Sequence, residues 1–189
     1  MKPNEPSRTA LIIALQRAAH QVLDHGSILY DPFAMKILRE DEKDVLQFAN
    51  KHPLASIGRL FTAARSRIAE DALSRAVERG TRQIVILGAG LDTFALRNPH
   101  GAQQIRIYEV DHPATQAWKR QRLADAPIAL PPWLSLVPVD FERDDMRGTC
   151  RRGLSAELAR VFHLARGCAL SDAGYIGARC VDVQLVSKV

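Results

Sequence analysis

No apolar run in the 189 residues approaches the ~20 needed to cross a bilayer, so the sequence offers no membrane span. Cysteine is scarce. Cys150, Cys168 and Cys180 make an odd count that gives no disulfide framework, and no Cys-x-x-Cys pair or Cys/His cluster has zinc-ligand spacing. The start, Met1-Lys2-Pro3-Asn4-Glu5, precedes only a brief apolar stretch from Leu11 to Leu15, broken by Gln16 and Arg17. A signal peptide is therefore not expected, and a cytoplasmic location follows as the default. His20, His25, His52, His100, His112 and His163 form no triad or metal pattern, and no Ser/His/Asp or Cys/His nucleophile arrangement stands out. What is present is ordinary for a globular chain, with 47% hydrophobic and 25% charged residues and enough length for one sizeable core.

The net charge of +5 is unevenly spread. Residues 1–145 carry 19 basic and 18 acidic side chains, whereas residues 146–189 carry 7 and 3 and hold all three cysteines. An evenly basic domain would raise nucleic-acid binding. Here the excess belongs to a tail of different composition, so no nucleic-acid partner is expected. Three segments follow: a helical cover over 1–80, an α/β half-domain over 81–145, and an atypical tail over 146–189.

The apolar spacing of Leu11, Ala14, Leu15, Ala18, Ala19 and Val22 predicts an amphipathic helix from Ser7 to about Leu23, with Ser7 or Thr9 as cap. Tyr30-Asp31-Pro32 marks a turn. Phe33 to Phe48 reads as helix with a charged interruption from Glu40 to Asp44. Ser56 to Arg79 is the strongest helical stretch and ends at Gly80, where a C-terminal glycine belongs. Strands are expected at 83–87, 105–110 and 134–139, with a helix from His112 to Ala124 between the last two. Strands alternating with helices indicate a parallel sheet.

The most informative stretch is Ile84-Val85-Ile86-Leu87-Gly88-Ala89-Gly90-Leu91-Asp92-Thr93. A short apolar strand breaks into a tight glycine turn, and the next strand ends at Asp111. In open α/β sheets the ligand crevice lies beyond the carboxyl ends of the strands, which is the plan of a nucleoside-cofactor site. The turn is not a dinucleotide fingerprint, because Thr93 stands at the third-glycine position and Asp92 lies inside the loop. An acid there repels a pyrophosphate but suits the ammonium of an amino-acid-bearing cofactor. S-adenosylmethionine fits, since it carries an α-amino group, an adenosine and a sulfonium and no phosphate.

Asp111 stands where an acid accepting two ribose hydroxyls belongs. Its competing reading is a cap for the helix begun by His112-Pro113. Asp140, followed by Phe141, closes the third strand. There a carboxylate can accept a hydrogen bond from an adenine amino group while an aromatic ring packs on the base. Arg65 and Arg67 lie in the helix leading into the first strand, and a guanidinium there can pair with a carboxylate. Arg67 with Asp71 equally fits a solvated i,i+4 pair.

Several of these runs together resemble the S-adenosylmethionine-dependent methyltransferases related to leucine carboxyl methyltransferase. They are Phe61-Thr62-Ala63-Ala64-Arg65-Ser66-Arg67, Leu87 to Thr93, Tyr108-Glu109-Val110-Asp111-His112-Pro113 and Val139-Asp140-Phe141. Ser7-Arg8-Thr9-Ala10 and Tyr30-Asp31-Pro32 match as well, so the resemblance covers residue 6 to about 145. It implies an α/β, Rossmann-like class I methyltransferase sheet with an N-terminal helical segment and with the C-terminal half missing. It also implies that Arg65 meets the methionine carboxylate of the cofactor and that Gly88 and Gly90 meet its methionine backbone. Asp111 is then on the ribose, and Asp140 with Phe141 is at the adenine. The implied partner is a small-molecule methyl acceptor.

Past Asp145 the resemblance stops, whereas the family pattern continues for roughly another hundred residues, as a complete domain requires. Its element Phe-x-Trp-(Leu or Glu)-Gly-Val-x-Pro-Tyr-Leu is absent. Read one base later, the codons for Val161 to Asp172 can give Cys-Phe-Thr-Trp-Leu-Gly-Val-Val-Pro-Tyr-Leu-Thr. The same shift turns Cys150 to Leu154 into Ala-Ala-Ala-Gly-Phe. A frameshift between Asp145 and Cys150 is the expectation; a diverged C-terminus is the alternative. Four functions compete on these grounds: methyl transfer, a truncated cofactor-binding remnant, a nicotinamide-dependent oxidoreductase, and a nucleic-acid-binding module. Thr93 counts against the third, and the fourth rests on the tail alone.

Overall fold

The computed structural model describes residues 7–50, 55–101 and 105–140, together with the backbone of two strands at 160–165 and 184–187. Four helices come first. Helix α1 (Arg8–Leu23) starts where Ser7 Oγ accepts the Ala10 N–H at 3.2 Å, as the capping expectation required. The stretch expected as one interrupted helix is two. Helix α2 (Ala34–Leu38) ends at Arg39, whose φ of 56° is left-handed, and Asp41 then caps α3 (Glu42–Ala49) by accepting the Asp44 N–H at 2.9 Å. The charged interruption is thus a helix boundary, because an Asp that caps a new helix competes with continuing the old one.

Helix α4 (Ala55–Glu78) ends as its glycine predicted. Gly80 adopts φ 96°, its N–H donates to Val77 O, and Thr81 N–H donates to Ala76 O. These are the two bonds of a Schellman stop. It turns the chain directly into the first strand.

The sheet contains β1 (Gln83–Leu87), β2 (Arg106–Asp111), β3 (Leu134–Pro138), β4 (Arg160–Ala165) and β5 (Gln184–Ser187), in the order β3-β2-β1-β4-β5. The first three match the expected strands within a residue at each end. Strands β3, β2, β1 and β4 run parallel, and β5 pairs antiparallel to β4. Two strands beyond residue 140 therefore extend the sheet past the three that were expected. The short α5 (Phe94–Arg97) and the longer α6 (Pro113–Asp125) connect β1 to β2 and β2 to β3. The reading of 146–189 as a separate tail otherwise falls outside the described residues.

Strands β1 and β2 are buried on both faces, as parallel strands under helices must be. Ile84, Ile86, Ile105 and Ile107 pack with Phe94, Leu73 and Val77 on one side, and Val85, Val110 and Val139 form a smaller cluster. A further cluster joins α1, α2 and α3 to Leu91 of the glycine loop and Leu123 of α6. The helical cover is thereby seated on the loop itself. Among the described residues no helix is long and apolar enough to cross a membrane.

Candidate functional site

Because β1, β2 and β3 are parallel and in register, Leu87, Asp111 and Pro138 end at one edge of the sheet. The chain leaves β1 in a tight turn: Gly88 N–H and Ala89 N–H both donate to Val110 O, at 2.9 and 3.3 Å. Gly88 at φ 63° and Gly90 at φ 54° hold left-handed conformations that glycine adopts without strain. At Gly90 a Cβ would stand 2.8 Å from the Ala10 Cβ. The missing side chain is what lets α1 approach the loop.

Asp111 is 9% exposed and spends both oxygens on backbone amides, accepting Gly90 N–H at 2.5 Å and His112 N–H at 2.6 Å. Burial nevertheless raises its pKa above the ordinary 3.8, against the pull of those two amides. The capping reading of Asp111 gives way here. The N-cap of α6 is His112, whose Nδ1 accepts Ala114 N–H at 3.2 Å ahead of Pro113. Val139 N–H donates to Asp111 O at 2.9 Å, which brings the half-buried Asp140 to the same edge.

Gly88, Gly90, Asp111 and Asp140 thus gather at the ends of three neighbouring strands. Arg65 comes from a different layer. It is half-buried on α4, one turn beyond Thr62, whose hydroxyl donates to Gln16 of α1 at 2.5 Å. Arg67 pairs with Asp71 on the exposed side of α4, the solvated i,i+4 arrangement. Phe141 lies outside the described residues.

Asp92 departs from its expected part. Instead of facing a ligand ammonium, its Oδ1 accepts Phe94 N–H at 2.7 Å at the start of α5, and its Oδ2 lies 3.6 Å from Arg17 Nη1. At 4% exposed, with a guanidinium beside it, the carboxylate is neutralised from within.

Sequence reasoning also missed a set of buried charges around the loop. Arg17 of α1 donates to Leu91 O at 2.5 Å, and Lys119 of α6 donates to Asp92 O at 2.6 Å and pairs with Glu109 of β2. Asp31 accepts the Thr93 hydroxyl at 2.5 Å and lies 3.5 Å from Arg97, which makes a two-pronged pair with Glu70 of α4. A signal existed. Arg17 falls three residues after Ala14 on the apolar face of α1, and Lys119 falls between Thr115 and Leu123 on the buried stripe of α6. Among the described residues no group of His, Cys, Asp and Glu is placed to hold a metal ion.

The profile of the family described as leucine carboxyl methyltransferase matches residues 10–169. The chain belongs to the leucine carboxyl methyltransferase family.

The family match runs past residue 145, where the resemblance read from the motifs ended, and over β4. YktD of Bacillus subtilis (strain 168) carries the provisional name S-adenosyl-L-methionine-dependent methyltransferase. It is 37% identical over 166 residues, which cover 76% of this chain and 55% of YktD. A similarly named relative from Mycobacterium tuberculosis (strain ATCC 25618 / H37Rv) is 30% identical over 148 residues, covering 72% of this chain and 47% of its own. The leucine carboxyl methyltransferase family chain described here therefore spans about half the length of these curated relatives. Among solved structures, a point mutant of MtNAS in complex with S-adenosylmethionine is 13% identical. It superposes with a TM-score of 0.33 over 80% of this chain and 71% of its own.

Proposed function

We propose that the edge formed by the ends of β1, β2 and β3 binds S-adenosylmethionine, and that the whole protein transfers its methyl group to a small-molecule or carboxyl acceptor. The observation that carries this reading is Asp111, a buried carboxylate held against the Gly90 amide at a strand end. An ionised carboxylate has about four acceptor sites, so two amides leave Asp111 capacity for a pair of ribose hydroxyls. Asp140, with Phe141 after it, takes the adenine end. Gly88 and Gly90 take the methionine backbone, and Arg65 takes the methionine carboxylate. The bound cofactor supplies a methyl group already activated by its sulfonium. The protein's part is then to bind and orient donor and acceptor in line and to exclude water.

The donor set suits this ligand better than a dinucleotide. The third-glycine position is filled by Thr93, whose hydroxyl is committed to Asp31. Calorimetry with S-adenosylhomocysteine, S-adenosylmethionine and NAD tests the reading. The adenosyl ligands are expected to bind and NAD is not; binding of NAD alone overturns it.

A second reading is cofactor binding without turnover by this chain. Under it the chain binds S-adenosylhomocysteine but transfers no labelled methyl group from S-adenosylmethionine to any acceptor that an intact relative methylates.

A further inference from the structure

Two cations approach the glycine loop from different helices and take hold of consecutive carbonyls. Arg17, 3% exposed, holds Leu91 O, and Lys119, 1% exposed, holds Asp92 O. We infer that Lys119 is a positioning residue for the cofactor loop: by fixing the Asp92 carbonyl it fixes where the loop amides stand. As a statement about the cofactor, this rests on the proposed S-adenosylmethionine site. The loop needs outside restraint, because glycines in left-handed conformations at 88 and 90 leave a chain with more freedom to lose than other residues.

A peptide unit is planar, so holding the Asp92 carbonyl also sets the direction of the Thr93 N–H on its far side. Holding Leu91 O does the same for Asp92 N–H, which donates to Ala89 O at 2.8 Å. Lys119 reaches further than packing demands. An unbranched apolar chain such as Met would fill the same stripe of α6, but only an ammonium joins the loop carbonyl to Glu109 on β2. Glu109 precedes Asp111 by two residues and lies on the same side of β2. The lysine therefore ties the loop to the strand whose end carries the ribose acid.

The test separates positioning from mere support of the fold. Lys119→Met alone leaves a buried carboxylate without its cation and is expected to destabilise the chain. The double variant Lys119→Met with Glu109→Met removes the buried pair together, a replacement that commonly keeps or raises stability. In the full 189-residue chain, the double variant is expected to unfold at the wild-type urea midpoint or above. It is also expected to bind S-adenosylhomocysteine about tenfold more weakly, the size of one lost hydrogen bond to a charged group. By hydrogen exchange, the amides of 90–94 should exchange faster while those of 84–87 keep their protection.

Wild-type affinity and loop protection in a stable double variant overturn the inference. So does a loss of affinity that only follows a loss of stability. If the wild-type chain binds no S-adenosylhomocysteine, the cofactor reading fails separately, and loop exchange alone decides for or against Lys119.

Discussion

The α/β half and the helical cover are held together by different physics. The sheet core buries large branched and aromatic side chains, Ile84, Ile86, Ile105, Ile107 and Phe94, beside four alanines. Half of the cluster under the cover is alanine: Ala14, Ala18, Ala19, Ala34 and Ala49. Alanine gives close approach but little apolar area, and larger, partly buried side chains such as Leu15 and Trp118 pack around these alanines. The cover is attached to the glycine loop through Leu91 of that cluster and, in addition, through charged groups, Arg17 on Leu91 O and Asp31 on the Thr93 hydroxyl. The difference teaches that the glycine loop is held from below through apolar packing and from above through charged groups added to a smaller apolar contact. The two supports can be broken independently.

The largest effect is expected from below. Phe94→Ala removes a fully buried ring from the sheet core and should cost about 3–5 kcal/mol of global stability, read from a urea or thermal transition. Arg17→Met attacks the other support. It removes the guanidinium beside two buried acids, Asp92 and Asp31, of which Asp31 keeps Arg97 at 3.5 Å, and should cost about 3 kcal/mol. Its signature is different: hydrogen exchange should rise first in α1 and the loop while β1 and β2 keep their protection. A uniform rise in both halves would erase the distinction drawn between them.

At the junction, Asp111→Ala should weaken S-adenosylhomocysteine binding by about 1–3 kcal/mol in a folded chain, by leaving hydrogen-bonding groups unpaired. Arg65→Ala should act at the other end of the cofactor. Unchanged affinity in both variants would leave Asp111 as a loop brace and Arg65 as a half-buried side chain of α4.

The smallest effects sharpen the contrast through pH. In the cover, Arg59 bonds Asp24 at 2.6 and 3.1 Å and, as the largest cause, lowers its pKa below 3.8. A carboxylate with a lowered folded pKa adds stability above its unfolded value, and that stability is lost as pH falls through the folded value. Arg59→Met should therefore cost about 1 kcal/mol at neutral pH and make the acid loss of stability shallower. Asp111 runs the other way. Its raised folded pKa adds stability that is complete below 3.8 and lost as pH rises through the folded value. Asp111→Asn should remove that fall, which a set of urea midpoints across the acid range would detect.

Much of the sheet half was legible because its signals are local. Ile84 to Leu87 followed by Gly88 declares a strand and its turn, and Gly80 declares the stop before it. The gathering of Gly88, Gly90, Asp111 and Asp140 followed once the strands were taken as parallel. The charges around the loop were not legible in the same way, because their partners are remote: Arg17 meets Leu91, and Asp31 meets Thr93. Periodicity marks Arg17 as a polar residue on an apolar face without saying what it touches. Asp92 misled for a related reason. Its sequence position inside the loop suggested a ligand, and only the fold shows that the start of α5 and Arg17 claim it. The split between α2 and α3 turned on the left-handed Arg39, a backbone state that no composition signal announces.

The pairing of β1 with β4 has a consequence for synthesis. Strand β1 is complete at Leu87, but its partner on that side begins only at Arg160. At ~5–20 residues per second, the ribosome needs roughly 4–16 s to deliver the missing strand. Once β2 is made, β1 can pair with it on one side while the other side still presents unpaired backbone amides and carbonyls, a template for pairing with other chains. A nascent chain paused before codon 160 is therefore the form most exposed to aggregation, and the one on which a holding chaperone should act.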